Sequence, residues 1–302
     1  MVKLSDFTFG TETENFVETW RCDHEDTHET VSRKFDNFNG VLVFVRNIVE
    51  RHMTDDTYIA HSWPDDKSSS ASQHIHFKAN IPNWQEYKYP LYLRMHSLIK
   101  LFQIYFKNSP NKDGVFSKRH FRDGNHWCKL TKLERERFGN GSRHYTAITP
   151  NPAFDTLEFR YNEVPKHLNQ MAMFYYLLNI AINDDIEIPE LPDEQEISTF
   201  NDLKSPICAM FSYKDKESIK NYNKTYIKIL GDFVDDVDKK LKNKFYDFNK
   251  KKYTSFRRFC MDTLEQDLKE FKDYFDGKED DYSWSSKHKK SFKIKIKRVL
   301  IS

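Results

Sequence analysis

Three short stretches, far apart in the chain, alternate between apolar and functional residues, and this period of two restricts the fold more than any other feature. They are Phe7-Thr8-Phe9-Gly10-Thr11-Glu12-Thr13-Glu14, Gln73-His74-Ile75-His76-Phe77-Lys78-Ala79 and Asp155-Thr156-Leu157-Glu158-Phe159-Arg160-Tyr161. Successive side chains of a strand point to opposite faces, so each stretch reads as a strand with two unlike sides. In the first, Phe7, Phe9, Thr11 and Thr13 face one way and Gly10, Glu12 and Glu14 the other. His74, His76 and Lys78 share a side of the second; Leu157, Phe159 and Tyr161 oppose Thr156, Glu158 and Arg160 in the third. An antiparallel sheet can bury one face and leave the other open, and these strands call for that arrangement.

The cover for the apolar face lies between and after the strands. Phe38, Val41, Leu42, Val45, Ile48 and Val49 recur at helical spacing. Pro90 predicts a helix start, where its missing N–H costs nothing, with Leu91, Met95, Leu98, Phe102 and Tyr105 as the apolar stripe. A further helix is expected from about Pro165, with Leu168, Met171, Ala172, Tyr175, Leu178 and Ile182 on one side. Residues 16–32 read as a hairpin whose polar turn spans Asp23 to His28, and residues 53–72 and 108–142 read as loops. Pro189, Pro192 and a cluster of acids mark a boundary after residue 183. Beyond it, Ile219, Tyr222, Tyr226, Ile229, Phe233 and Val237 form one helical stripe, Phe256, Phe259, Leu264, Leu268, Phe271 and Phe275 form another, and residues 287–298 make a basic tail. The expected fold class is α+β: a curved, mainly antiparallel sheet with helices on one face and an open, chemically active opposite face, plus a helical C-terminal extension. The expected domains are 1–183 and 184–302.

Composition narrows the chemistry by exclusion. Lys and Arg number 48 against 46 Asp and Glu, so charge makes no general case for nucleic acid or a membrane surface. Only 8 Gly are present, and neither a Walker nor a dinucleotide-binding spacing occurs. Cys22, Cys128, Cys208 and Cys260 form no C-x-x-C pair, which fits free thiols in a reducing compartment better than a zinc site. With no N-terminal apolar leader and no run of eighteen apolar residues, the expectation is a soluble, cytoplasmic protein. The abundance of Lys, Asn, Phe, Tyr and Ile suits an AT-rich genome such as that of a phage or virus.

If the three strands share one sheet, its open face collects Glu12, Glu14, His74, His76, Lys78, Glu158 and Arg160, with Glu29 as a further candidate. Taken singly, Glu-x-Glu is commonly a solvated face, His-x-His a surface pair, and Glu-x-Arg a local salt bridge. Together they crowd like charges that need compensation. Carboxylates with an imidazole suit Mg²⁺ or Mn²⁺, and an Arg and a Lys beside them suit phosphate oxygens.

The order of these motifs resembles that of the carboxylate–amine ligases with a glutamine-synthetase-like fold, and most nearly their amidoligase group. Gly10-Thr11-Glu12-Thr13-Glu14 resembles the family's G-x-E-x-E strand. Asp23 through Ser32, ending Glu29-Thr30-Val31-Ser32, resembles its acidic turn and E-hydrophobic-V-S strand, and His74-Ile75-His76 its H-x-H strand. Arg143, Asn151 and Thr156-Leu157-Glu158-Phe159-Arg160 resemble its R…N…E-F-R segment. The likeness covers residues 5–183.

The resemblance implies metal ligands at Glu12, Glu14, Glu29, His74 and Glu158, with Asp23 or Asp26 in support. It implies that Arg160 contacts the transferred phosphate, that Arg143 binds substrate carboxylate or phosphate, and that His76 lines the nucleotide or substrate side; Lys78 and Asn151 join that group. The implied cofactors are ATP and Mg²⁺ or Mn²⁺. The implied activity is amide or isopeptide formation through an acyl phosphate, between a carboxylate and an amine carried by small molecules or peptides. Two other readings stand beside it: a phosphotransferase acting on a guanidino or amine group, and a non-catalytic interaction protein with a degenerate site.

Overall fold

The three alternating stretches are strands, and they lie side by side. The structure is a computed structural model that describes residues 2–14, 21–24, 27–52, 72–102, 132–139, 146–163, 168–191, 216–241 and 255–260. Its strands are β1 (Phe7–Glu14), β2 (Arg21–His24), β3 (Thr27–Val31), β4 (Ser72–Ala79), β5 (Ile148–Asn151) and β6 (Thr156–Glu163). They form one open sheet in the order β2-β3-β1-β4-β6-β5, with every pairing antiparallel. Its helices are α1 (Phe38–His52), α2 (Trp84–Leu101), α3 (Arg135–Gly139), α4 (Leu168–Ala181) and α5 (Lys216–Leu241). The fold class is α+β.

One face of the sheet is sealed by aromatic packing. Phe7, Phe9, Ile75, Phe77, Ile148, Leu157 and Phe159 are almost fully buried in one cluster with residues of α1, α2 and α4. Phe174 of α4 is the hub, with ring centroids 5.0 Å from Phe159, 5.2 Å from Phe77 and 5.7 Å from Phe38. Edge-to-face and tilted contacts at this range add attraction beyond area burial, so a ring cluster gives a firm core in a chain only 38% hydrophobic. Gly40 lets α1 close on the sheet, since a Cβ there would stand 2.6 Å from Phe35 Cγ. Phe35 itself is tied to β1 by reciprocal backbone bonds with Phe9, N–H to O=C, of 2.7 and 2.8 Å.

Four local expectations are corrected. Helix α2 begins at Trp84, and Pro90 lies inside it. Trp84 and Lys88 are buried two turns and one turn ahead of Leu91 and Tyr92, so packing extends the helix N-terminally past a proline whose own position is exposed. The hairpin turn is tighter than read: Asp23 belongs to β2 and Thr27 to β3. The loop expected over 108–142 contains the short helix α3. Strand β5 was not foreseen; Pro150 within it sits on the sheet's edge, where a missing donor is tolerated.

Residues on both sides of the expected 183/184 boundary enter the same core. Phe233 of α5 lies 5.9 Å from Phe102, and Tyr176 of α4 packs on Phe256 and Phe259 at 5.7 and 4.4 Å. The acidic boundary segment is held down by Arg94, which donates to the carbonyls of Ala181, Asn183 and Ile186 at 2.7, 2.7 and 2.8 Å. The stripe beyond Cys260 and the basic tail lie outside the described residues. No helix among the described residues is long and apolar enough to cross a membrane.

Candidate functional site

Strand register brings the polar residues together. Across β1 and β4, Glu12 pairs with His74 and Gly10 with His76; across β4 and β6, His76 pairs with Glu158. Between the pairs Gln73–Asn162 and Ile75–Phe159 the register slips, so Arg160 and Tyr161 of β6 both stand against His74 alone. A bulge of this kind bends a strand and re-aims a side chain. Here the Arg160 guanidinium lies on Glu158, donating from Nη1 to Oε1. A Cβ built on Gly10 would lie 3.7 Å from the His76 Cβ, in ordinary van der Waals contact with it.

The ligand atoms of Glu12, His76 and Glu158 all lie within 4.8 Å of one another. His74 stands behind them, with Nδ1 2.6 Å from Glu12 Oε1 and 3.3 Å from Glu158 Oε1. His76 reaches Glu12 Oε2 from Nε2 at 3.5 Å and Thr156 Oγ1 from Nδ1 at 3.3 Å. Asn151 donates to the second Glu158 oxygen at 3.2 Å. His74 is fully buried and Glu158 2% exposed, whereas the Glu12 side chain retains 16% exposure and opens the cluster on one side.

Charge is concentrated and held there. Burial opposes ionisation of Glu12, but hydrogen bonds from His74 and His76 and their charges outweigh it and keep the carboxyl well below the usual range. Burial likewise opposes the Glu158 anion, and Arg160, followed by the two histidines, overrides it. For His76, burial favours the neutral ring, while the hydrogen bond to Glu12 and the charges of Glu158 and Glu12 raise its affinity for a proton. Two ionised carboxylates and an imidazole, without sulfur, form a donor set that fits Mg²⁺ or Mn²⁺. A divalent ion there would compete with a proton for His76.

The opposite side of the same strands holds the register. Thr11 Oγ1 donates to the His74 carbonyl at 2.7 Å and Thr13 Oγ1 to Gln73 Oε1 at 2.8 Å. Gln73 Nε2 donates to the Glu12 carbonyl at 2.9 Å and also to Thr11 Oγ1. All three side chains are buried, and a one-residue slip of β4 would break their bonds and turn the histidines into the core. Beyond His76, Lys78 and Lys88 meet on Asp155 at 2.6 and 2.9 Å, joined by Gln85 at 2.6 Å. Burial, the largest single influence, raises the Asp155 carboxyl, but the hydrogen bonds from Lys78, Lys88 and Gln85 and the charge of Lys88 together outweigh it and hold the group well below its ordinary range.

Of the residues expected at a site, Glu12, His74, His76, Asn151, Glu158 and Arg160 converge. Lys78 lies on the same face but is engaged by Asp155. Glu14 and Glu29 are direct partners in the β1–β3 register. Asp26 and Arg143 lie outside the described residues. The three-residue ligand group contains His76, and His74, the ligand that the resemblance implied, keeps its Nδ1 on the same two carboxylates. The sequence reading missed Thr11, Thr13 and Gln73 as supports, and Thr156, Asp155, Lys88 and Gln85. The polar positions on the core faces of β1 and β4 were a visible signal for the first three. No protein-family model matches the chain, and no curated protein matches it in sequence.

Proposed function

We propose that the chain is an ATP- and divalent-metal-dependent carboxylate–amine ligase. One observation carries the reading: Glu12, His76 and Glu158, drawn from three strands, present ligand atoms within 4.8 Å of one another while Arg160 adjoins Glu158. Glu12, His76 and Glu158 would hold Mg²⁺ or Mn²⁺, whose contribution is to polarise phosphoryl oxygens and neutralise their charge. Arg160 is the cation for the transferring phosphoryl group, and its fixed donors need no rearrangement as charge shifts. Asn151 and His74 keep the carboxylates aimed.

In the reaction, a substrate carboxylate oxygen attacks the γ-phosphorus of ATP, the bond to ADP breaks, and an acyl phosphate forms. An amine then attacks the acyl carbon, loses a proton and expels phosphate, leaving an amide or isopeptide bond. The expected cytoplasmic location belongs to the same proposal.

Hydroxylamine trapping tests it. With ATP, Mn²⁺ and a pool of carboxylates, a ligase forms hydroxamate and releases phosphate, and Glu158→Gln lowers both by about 10²–10³-fold. A phosphorylated amine or guanidine without hydroxamate would instead assign a phosphotransferase, and no ATP turnover with any pool would favour a non-catalytic protein.

A further inference from the structure

The hairpin joining β5 to β6 presents Phe154 with 65% of its surface exposed, against 37% for Val31 and 40% for Val43, the other exposed large apolar residues among the described residues. A lone exposed apolar residue is ordinary, but this one is fixed from both sides. Asn151 Oδ1 accepts the backbone N–H of Ala153 at 3.1 Å and of Phe154 itself at 3.4 Å. On the other side, Asp155 adopts a left-handed φ of 53°. Its carboxylate is gripped by Lys78, Lys88 and Gln85, and its carbonyl accepts Trp84 Nε1–H at 2.9 Å. An aspartate tolerates that backbone region at some cost, and here four side chains of β4 and α2 hold it there.

The held ring stands beside the ligand cluster. Its centroid is 5.8 Å from that of His76, nearly perpendicular at 84°. The contact leaves most of the Phe154 ring open while the imidazole reaches toward Glu12. We propose that Phe154 is a stacking platform for a planar ring on a ligand whose anionic end is held by Glu12, His76, Glu158 and Arg160. The proposal rests on the functional reading in one respect, that the cluster binds the anionic end through a divalent metal. The ring has two possible sources with one chemistry: the base of a nucleotide, or an aromatic group on the carboxylate substrate.

Calorimetry on the full chain with Mn²⁺ tests this, using ATP against inorganic triphosphate and 3-phenylpropanoate against propanoate. Phe154→Ala weakens a ring-bearing ligand about tenfold and leaves its ringless counterpart unchanged, and Phe154→Trp restores the difference. A loss confined to ATP assigns the platform to the base; a loss confined to phenylpropanoate assigns it to the substrate. Equal affinity of Phe154→Ala and the unsubstituted protein for both ring-bearing ligands overturns the platform, as does an equal loss for ringless ligands. If ATP and triphosphate bind and Phe154 is indifferent, the platform falls and the ATP reading stands. If only phenylpropanoate binds, and binds through Phe154, the platform stands and the ATP reading falls. Binding of none of the four overturns both.

Discussion

On the helix-covered face of β1 and β4, Thr11, Thr13 and Gln73 are sealed from water, and each finds its partners within the sheet. On the opposite face, Glu12, His74, His76, Glu158 and Arg160 are nearly as enclosed. The first set is neutral and closed: its hydrogen bonds fix register and ask for nothing more. The second is charged and convergent, with two carboxylates on shared histidines and an opening beside Glu12. Burial alone therefore does not separate a structural polar network from a functional one. Charge directed at a common point is what sets the candidate site apart from its neutral counterpart, a buried anion being tolerated only where cations meet it.

Substitutions can break this contrast, beginning with the face that supports both sets. Phe77→Ala removes a fully buried ring that packs on Phe7 and Phe174. It should cost about 3–5 kcal/mol in urea unfolding and loosen the site with the core. On the charged face, Glu158→Gln should lower metal-dependent ATP turnover by about 10²–10³-fold while the far-ultraviolet circular dichroism stays native. Unaltered turnover would remove Glu158 from the chemistry. On the neutral face, Gln73→Leu roughly keeps the volume but leaves Thr13 Oγ1 without its acceptor and takes a donor from the Glu12 carbonyl, an expected loss of about 1–3 kcal/mol in stability. If that variant loses Mn²⁺ affinity in a protein that stays folded, the two faces are coupled through the register of β1 and β4.

The smallest effect is at the hairpin tip. The Asp155 carboxyl titrates lower in the folded chain than its ordinary value, so the ion pairs with Lys78 and Lys88 stabilise the fold at pH values above that ordinary value. This contribution fades as pH falls through the lowered value, where Asp155 is protonated whether folded or not. The stability gap between the unsubstituted protein and Asp155→Asn should accordingly be widest above about pH 4 and narrow on acidification. A gap independent of pH would mean that the tip is held by its hydrogen bonds alone.

Much of this arrangement is legible in the sequence because a strand's period of two is rigid. Once Phe7, Phe9, Ile75, Phe77, Leu157 and Phe159 are assigned inward, Glu12, His74, His76 and Glu158 must share the other side. What could not be read is what breaks periodicity or depends on register. The bulge at Arg160 and Tyr161 is an extra residue that no alternation announces. Which ring nitrogen meets which carboxylate depends on ring orientation, which spacing does not encode. Helix α2 begins ahead of Pro90 because Trp84 and Lys88 find burial, although Trp84-Gln85-Glu86-Tyr87-Lys88 reads as largely polar. Strand β5 is four residues long and contains a proline, so it carries too little pattern to stand out.

The central claim is that β1, β4 and β6 form a divalent-metal site through Glu12, His76 and Glu158. Pulsed electron paramagnetic resonance of the Mn²⁺-loaded chain tests it most directly, since an imidazole nitrogen bound to Mn²⁺ gives a distinct coupling. A coupling from one histidine, present in the unsubstituted protein and absent in His76→Gln, is the predicted result. Mn²⁺ that fails to bind, or a coupling that persists unchanged in His76→Gln, would contradict it.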